Sequence, residues 1–256
     1  MAKRLFFPPS ISCYPYATIA AMPVSIACWF RRGSSSVGDR VLVQLADYTG
    51  GTAGLSLYLA NFTDRVRAYT QTSTGTTAQA GLGDNPPTTG RWNHAAAVFA
   101  SDSSRVAYQN GVASGTDTTS LPLGSNLDSL YIATSYVAQT ALNNHAGIAH
   151  VCVWSEALSG GEIQALSRGL HPLNVRPHAV ISYHPLDDKA DLLFCDRNRR
   201  GNRYPAINGS TGTVGEYVGP PLRSNGNLDL YWMGATSSSP PPPPASSGNL
   251  LLLGVG

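Results

Sequence analysis

The side chains able to do bond-breaking chemistry are few, and most have a structural reason to be where they are. Only three glutamates occur in the 256 residues: Glu156, Glu162 and Glu216. Glycoside hydrolysis takes two carboxyl groups about 5–10 Å apart on neighbouring strand positions. Glu162 is accounted for locally, because Ser159-Gly160-Gly161-Glu162 fits a capping box in which serine and glutamate satisfy each other's backbone amides. Glu156 stands in the corner just before it. Asp187-Asp188 is the one adjacent acidic pair, and neighbouring strand residues point to opposite faces. The serines form no G-x-S-x-G elbow, and no phosphate-cradling G-x-x-x-x-G-K-[ST] occurs. His94 and His150 fall in strands, where a hydrogen-bonded structural histidine is the ordinary case. His171, His178 and His184 alternate with prolines and apolar residues at no zinc spacing. These residues imply a chain without a catalytic centre.

The elements that would position any site centre on HAGIAHVCVWSEALSGGEIQALSRG, residues 145–169. Strict alternation puts Ile148, His150, Cys152 and Trp154 on one face and Ala149, Val151 and Val153 on the other. Both faces are largely apolar, so the strand is expected to be covered on both sides. The capping box then opens a helix of about two turns, with Ile163 and Leu166 inward, Gly169 at its end and Pro172 blocking continuation. Short strands with turn signals between them fill the rest. Val24, Ile26, Cys28 and Phe30 share a face; so do Val41, Val43 and Leu45, and Leu55, Leu57 and Leu59. Val66, Ala68 and Thr70 alternate with Arg65, Arg67 and Tyr69, as in a strand wet on one side. Residues 71–90 read as a long polar loop or a weak edge strand. His94–Phe99, Arg105–Gln109 and Leu130–Thr134 add three strands, and Asn110-Gly111 is a type I′ hairpin signal. Many short strands, one helix and no internal repeat give an all-β, two-sheet antiparallel jelly-roll sandwich with one short helix and extended N- and C-terminal arms.

Charged residues make up 12% of the chain, about half the usual share, and the net charge of +2 gives no basis for nucleic-acid binding. Nearly all the basic residues are arginines, and Arg197, Arg199, Arg200 and Arg203 cluster in a Gly/Asn-rich stretch. They read as a solvated turn or as a contact for a carboxylate-rich partner. Cys13, Cys28, Cys152 and Cys195 form no C-x-x-C pair, and their spacing does not argue for disulfides. Prolines at 8, 9, 15 and 23 break any signal-peptide core. No run of about 18 apolar residues offers a membrane span. Synthesis in a reducing cytoplasm is expected.

The ends differ from the middle. Residues 1–17 form a proline- and aromatic-rich arm whose prolines resist regular structure, with Phe6 and Phe7 among the side chains that want burial. Residues 223–256 form a C-terminal arm. In it a proline-rich spacer (237–248) leads to the apolar tail NLLLLGVG (249–256). Such ends either fold back on their own domain or bury Leu250, Leu251, Leu252, Leu253, Val255, Phe6 and Phe7 in partner grooves. Each leucine then contributes on the order of 1.5–3 kcal/mol.

Four segments in order resemble the laminin-G-like, concanavalin A-like jelly rolls: VSIACWFR (24–31), RWNH followed by AAAVF (91–99), VAYQNG (106–111), and the strand ending at Trp154 followed by ALSGGEIQAL. The match covers residues 18–222. One departure is that VISYHPLDD (180–188) resembles a strand the family carries at its beginning, so the chain is permuted or finishes its sheet late. The family's glucanases carry E-x-D-x-E or a close variant, which is absent here. The resemblance implies a Ca²⁺ at the sandwich rim, and Asp47, Asp84, Asp187, Asp188 and Asp196 lie near expected strand ends; no spacing selects a ligand set among them, and no cofactor is expected. It also implies glycan contact through Tyr48, Tyr58, Trp92, Tyr136 and Asn143, with Tyr69 and Tyr131 as further platform residues. Laminin-G-like domains occur in bacteriophage virions, which implies a non-enzymatic decoration or fibre subunit. Such a subunit is homo-oligomeric, held to capsid or fibre proteins by its apolar termini, with the sandwich outward and made in the host cytoplasm. The alternative is a stand-alone lectin-like carbohydrate-binding module; a glycosidase comes third.

Overall fold

The computed structural model describes residues 4–7, 11–13, 18–32, 39–47, 53–60, 63–81, 86–123, 126–133 and 147–186, and short strands at 208–209, 213–216, 223–224 and 227–228. The strands are β1 (Arg4–Phe7), β2 (Ile11–Cys13), β3 (Val24–Arg31), β4 (Arg40–Ala46), β5 (Gly54–Leu59), β6 (Val66–Gln71), β7 (Thr77–Ala80), β8 (Trp92–Ser101), β9 (Ser104–Gln109), β10 (Val112–Asp117), β11 (Ser129–Ile132) and β12 (Gly147–Trp154). After helix α1 (Gly160–Ser167) and a 3₁₀ turn (Pro172–Asn174) come β13 (Val180–His184), β14 (Asn208–Gly209), β15 (Thr213–Glu216), β16 (Arg223–Ser224) and β17 (Asn227–Leu228).

Two antiparallel sheets form the sandwich. One runs β10-β9-β8-β3-β12-β1-β15, with β13 also on β12; the other runs β14-β2-β11-β4-β5-β6-β7. Their inner faces meet in one core of Ile26, Phe30, Leu45, Leu55, Leu57, Phe99, Leu130, Ile132 and Val151, all removed from water. A second apolar cluster lies on the outer face of the first sheet. There Ala27, Ala96, Cys152 and Trp154 pack under Leu158, Ile163 and Leu166 of the corner and helix. The helix is capped as expected: Ser159 Oγ accepts from the Glu162 amide at 3.3 Å, and Glu162 Oε2 accepts from the Ser159 amide at 2.7 Å. Gly169 ends it in the left-handed region at φ 93°.

Strict alternation fails within β12. The register against β3 shifts between Ala149 and Cys152, and His150 takes φ 50°. This bulge inserts one residue, so Ile148 joins Val151 and Val153 in the main core rather than sharing a face with Cys152 and Trp154. A shift between Val41 and Val43 in β4 acts similarly, bringing Leu42 into the core with Val43 and Leu45.

The N-terminal stretch also differs from the expected arm. β1 pairs with β12 at Phe6 and Ile148 and with β15 along its whole length, while β2 pairs with β11 and β14. Prolines at 8 and 9 separate the two strands instead of excluding them, since a four-residue run between breaks is enough for a ladder. The late strand does finish its sheet: β13 lies against the C-terminal half of β12, end to end with β1. Within 71–90, Thr77–Ala80 forms the edge strand β7.

Asn110 (φ 50°) and Gly111 (φ 82°) make the tight β9–β10 turn, closed by the His94 amide donating to Asn110 Oδ1 at 2.8 Å. A methyl on Gly111 would run into Ser167 Oγ of α1, whereas one on Gly75 (φ 84°) would meet open space. Gly111→Ala is therefore expected to lower the melting temperature by several degrees. Gly75→Ala, which carries only the left-handed backbone strain of about 1–2 kcal/mol, should lower it by clearly less. Equal losses in thermal melts would show that the hairpin does not press on the helix.

Candidate functional site

The outer face of the second sheet, at β5, β6 and β7, carries a half-exposed polar and aromatic patch. Period-2 geometry produces it: Leu55, Leu57, Leu59, Val66, Ala68, Ala78 and Ala80 point into the sandwich. Ser56, Tyr58, Arg67, Tyr69, Gln71, Thr77 and Gln79 take the other parity. Register then decides the neighbours. Tyr58 stands opposite Arg67, Ser56 opposite Tyr69, Tyr69 opposite Gln79 and Gln71 opposite Thr77. The row extends inward through Gln44 and Tyr131, which stand in line with Ser56.

Tyr58 and Tyr69 meet edge to face with ring centroids 5.6 Å apart. Tyr58 donates to Gln79 Oε1 at 2.6 Å, and Tyr69 donates to Gln71 Oε1 at 3.2 Å. Burial pushes the Tyr58 phenol up to about 12, more than the opposing pull of Arg67, and raises that of Tyr69 as well. Both rings thus stay neutral hydroxyl donors. Aromatic faces beside fixed amides and hydroxyls suit a polyhydroxylated ligand, whose C–H faces stack while its hydroxyls exchange hydrogen bonds.

Of the residues expected to contact glycan, Tyr58 lies in this patch, joined by Tyr69. Trp92 lies on the first sheet, packed over Gly147, where an added Cβ would stand 3.1 Å from its ring; it does not share the patch. Tyr48, Tyr136 and Asn143 lie outside the described residues, as do Arg197, Arg199, Arg200, Arg203, Leu250, Leu251, Leu252, Leu253 and Val255. Arg67, Gln71 and Gln79 were not singled out from sequence. Their alternation in RVRAYTQ marked a wet face, but only the pairing of β5, β6 and β7 makes it one surface.

The acids expected to be structural have structural partners. Arg176 holds Glu162 through two bonds of 2.7 and 2.9 Å and Glu156 through one of 2.7 Å; His178 adds a 2.9 Å contact to Glu156. Arg176 above all, then the capping bonds, hold the Glu162 carboxyl down at about 2. A general acid requires a raised pKa, so this carboxylate is tuned away from that role. Tyr183 bridges two histidines, at 2.7 Å to His150 Nδ1 and 3.1 Å to His171 Nε2. His184 Nε2 meets Ser182 Oγ at 2.6 Å, and His94 packs edge-on against Trp29. Cys28 and Cys152, neither in a disulfide, are buried in the main and outer cores. Among the described residues no three His, Cys, Asp or Glu side chains converge on a metal position. Of the five aspartates named for Ca²⁺ only Asp47 is described, and by itself it does not make a Ca²⁺ site; Asp84, Asp187, Asp188 and Asp196 lie outside the described residues. No helix among the described residues is long and apolar enough to cross a membrane.

Two groups set an acid limit on stability. Burial pushes His94 and His184 from the ordinary 6.5 down to about 3, so an unfolded chain takes up protons that the folded chain refuses. Stability from this source is complete above 6.5 and falls as pH drops toward 3. Glu162 acts in the same direction lower down: its stabilisation is present above the ordinary 4.5 and is lost as pH falls through about 2. Urea titrations across these windows should show His94→Phe flattening the upper slope and Arg176→Ala the lower one. An unchanged upper slope in His94→Phe would show that this ring already titrates normally.

The comparisons bear on the fold. Residues 11–164 match the concanavalin A-like lectin/glucanases superfamily. No curated protein matches the chain. Among solved structures, one described as a candidate carbohydrate-binding protein from Bacteroides ovatus aligns with TM-score 0.58 at 14% identity, covering 86% of this chain and 61% of that one. Domain 4 of AbnA, an extracellular arabinanase from Geobacillus stearothermophilus, in complex with arabinotriose, aligns with TM-score 0.49 at 14% identity, covering 62% and 72%. The botulinum neurotoxin serotype D binding domain aligns with TM-score 0.46 at 11% identity, covering 62% and 42%. The chain thus spans about three fifths of the first of these, 61% of its length. With four sequence motifs in order, two antiparallel sheets and a match over residues 11–164, this chain belongs to the concanavalin A-like lectin/glucanases superfamily.

Proposed function

We propose that the chain is a non-enzymatic glycan-binding jelly roll whose binding surface is the outer face of β5–β7. The observation that carries this reading is the half-exposed Tyr58–Tyr69 pair flanked by Gln71, Gln79 and Arg67. The candidate carbohydrate-binding protein of like fold is in keeping with it. A glycosidase is disfavoured, because Glu156 and Glu162 are committed to Arg176. On a glycan array, followed by titration of the best hit, Tyr58→Ala and Tyr69→Ala should each weaken binding about tenfold, or ~1.4 kcal/mol, without a large change in melting temperature. Full affinity in both variants would place binding elsewhere.

The setting we propose is a virion, with the module as a decoration or fibre subunit that forms homo-oligomers with capsid or fibre proteins as partners. What supports it is the stiff spacer at 237–248 leading to Leu250–Leu253 and Val255, a long apolar run in a chain of otherwise modest hydropathy. The N-terminal half of that anchoring idea is narrower, since the backbone of Phe6 and Phe7 is paired within the domain's own sheet. Deleting 237–256 should leave the melting temperature of the sandwich unchanged while abolishing oligomers or particle incorporation. Loss of monomer stability with assembly intact would instead mean that the tail packs on its own domain.

A further inference from the structure

We infer that the glycan taken by this face is acidic, and that Arg67 receives its carboxylate; the inference rests on the glycan-binding reading of the same surface. Four of the described arginines are matched to carboxylates. Arg105 pairs with Asp117, Arg176 with Glu156 and Glu162, and Arg32 and Arg40 converge on Asp64. Arg67 has no such partner among the described residues. Its guanidinium lies near enough to the Tyr58 phenol to pull that phenol's pKa down, and its Nε is buried without an acceptor.

That Nε is closed off from any ligand, so what the fork offers is its terminal nitrogens, which no carboxylate among the described residues takes. The group that fits is planar and bidentate, because the guanidinium fork presents two parallel N–H bonds to two carboxylate oxygens. Position supports the same ligand. Arg67 faces Tyr58 directly across the strand pair, and Tyr69 lies on the same strand two residues on. A pyranose stacked on the tyrosines would therefore hold a ring carboxylate beside the fork. The β5–β6 end of the sheet also carries Arg32, Arg40 and Arg65 against Asp39 and Asp64, an excess of positive charge that favours an anion. Asp39 is the opposing charge, acting on both tyrosines, and it is exposed at the start of β4. Exposure screens it more than the half-buried fork. A sugar bearing a ring carboxylate, either a uronic or a nonulosonic acid, has the required chemistry.

The test is calorimetric titration of the full chain with trigalacturonate and with α2,3-sialyllactose, each beside its neutral counterpart, carboxyl-reduced trigalacturonate and lactose. Wild-type protein is expected to bind at least one acidic probe tenfold or more tighter than its counterpart, with a preference that shrinks as salt is raised. Which acid binds distinguishes the uronic from the nonulosonic source. Arg67→Gln should bring acidic and neutral forms to equal affinity, and Arg67→Lys should retain only part of the preference, since it keeps charge but loses the fork. Melting curves of both variants confirm that the sheet is intact. Equal wild-type binding of acidic and neutral forms, lost in Tyr58→Ala, would overturn the acidic inference while leaving the glycan face standing. A preference that survives Arg67→Gln would also overturn it. Binding of none of the four probes would overturn the acidic inference, and a blank glycan array would remove the glycan reading with it.

Discussion

The fold depends on β12 being buried on both faces. Its inner side chains Ile148, Val151 and Val153 fill the core between the sheets, and its outer ones, Cys152 and Trp154, fill a second cluster beneath α1. A uniformly alternating strand would have turned Ile148 away from that core. The bulge at His150 resolves the conflict by inserting a residue in the left-handed region. The displaced ring then bonds Tyr183 on β13. Trp154 completes the arrangement: fully buried, it donates its indole N–H to the Val175 carbonyl at 2.9 Å and so ties the turn after the helix to the strand before it. Burial of this size contributes several kcal/mol, but only if the indole nitrogen is satisfied.

Covering one sheet decides what the other can do. The outer face of the first sheet is spent on the helix, the Arg176 corner and the histidine–tyrosine chain, all of which turn polar groups toward one another. On the second sheet the outer face at β5–β7 keeps half-exposed tyrosines, glutamines and an arginine. A binding surface built on paired strands is rigid, so little side-chain ordering remains to oppose ligand binding. The inward leucines and alanines of the same strands supply that rigidity, which means the site and the core share one set of hydrogen bonds.

Much of this was legible in the sequence, for reasons tied to particular residues. The capping box at Ser159 and Glu162, the Asn110-Gly111 turn and the wet face of β6 are local signals, and each reads correctly from a few neighbours. The bulge was not legible, because GIAHVCVW alternates plausibly in either register and only the facing core selects one. Nor were β1 and β2, whose strand character depends on partners more than a hundred residues away. The site was half legible. Tyr58 and Tyr69 stand out as aromatics, yet their grouping with Gln79 and Arg67, and their separation from Trp92, follow from strand order alone. The use of Glu162 in the capping box, and the place of Glu156 in the corner before it, could be read from spacing. Their common partner Arg176 could not, since it sits at φ 39° in an irregular turn fourteen residues beyond Glu162.

On the proposed reading, these features also separate attachment from recognition. With β1 and β2 hydrogen-bonded into the two sheets, pulling on the N-terminal residues would unzip strands from the sandwich itself. After β13, the described strands that join the two sheets are β14 and β15, at the edges remote from β7. Recognition at β5–β7 therefore lies at the opposite edge of its sheet from the strands leading to the tail, with β2, β11 and β4 between them. A molecule that must hold a surface with one part and a glycan with another gains from that spacing, because strain at the tether does not have to pass through the tyrosines. It also explains why the charged groups are so unevenly used. Arg32, Arg40, Arg105 and Arg176 are locked to carboxylates where the fold needs a corner held, whereas Arg67, without such a pair, stands on the β5–β7 face.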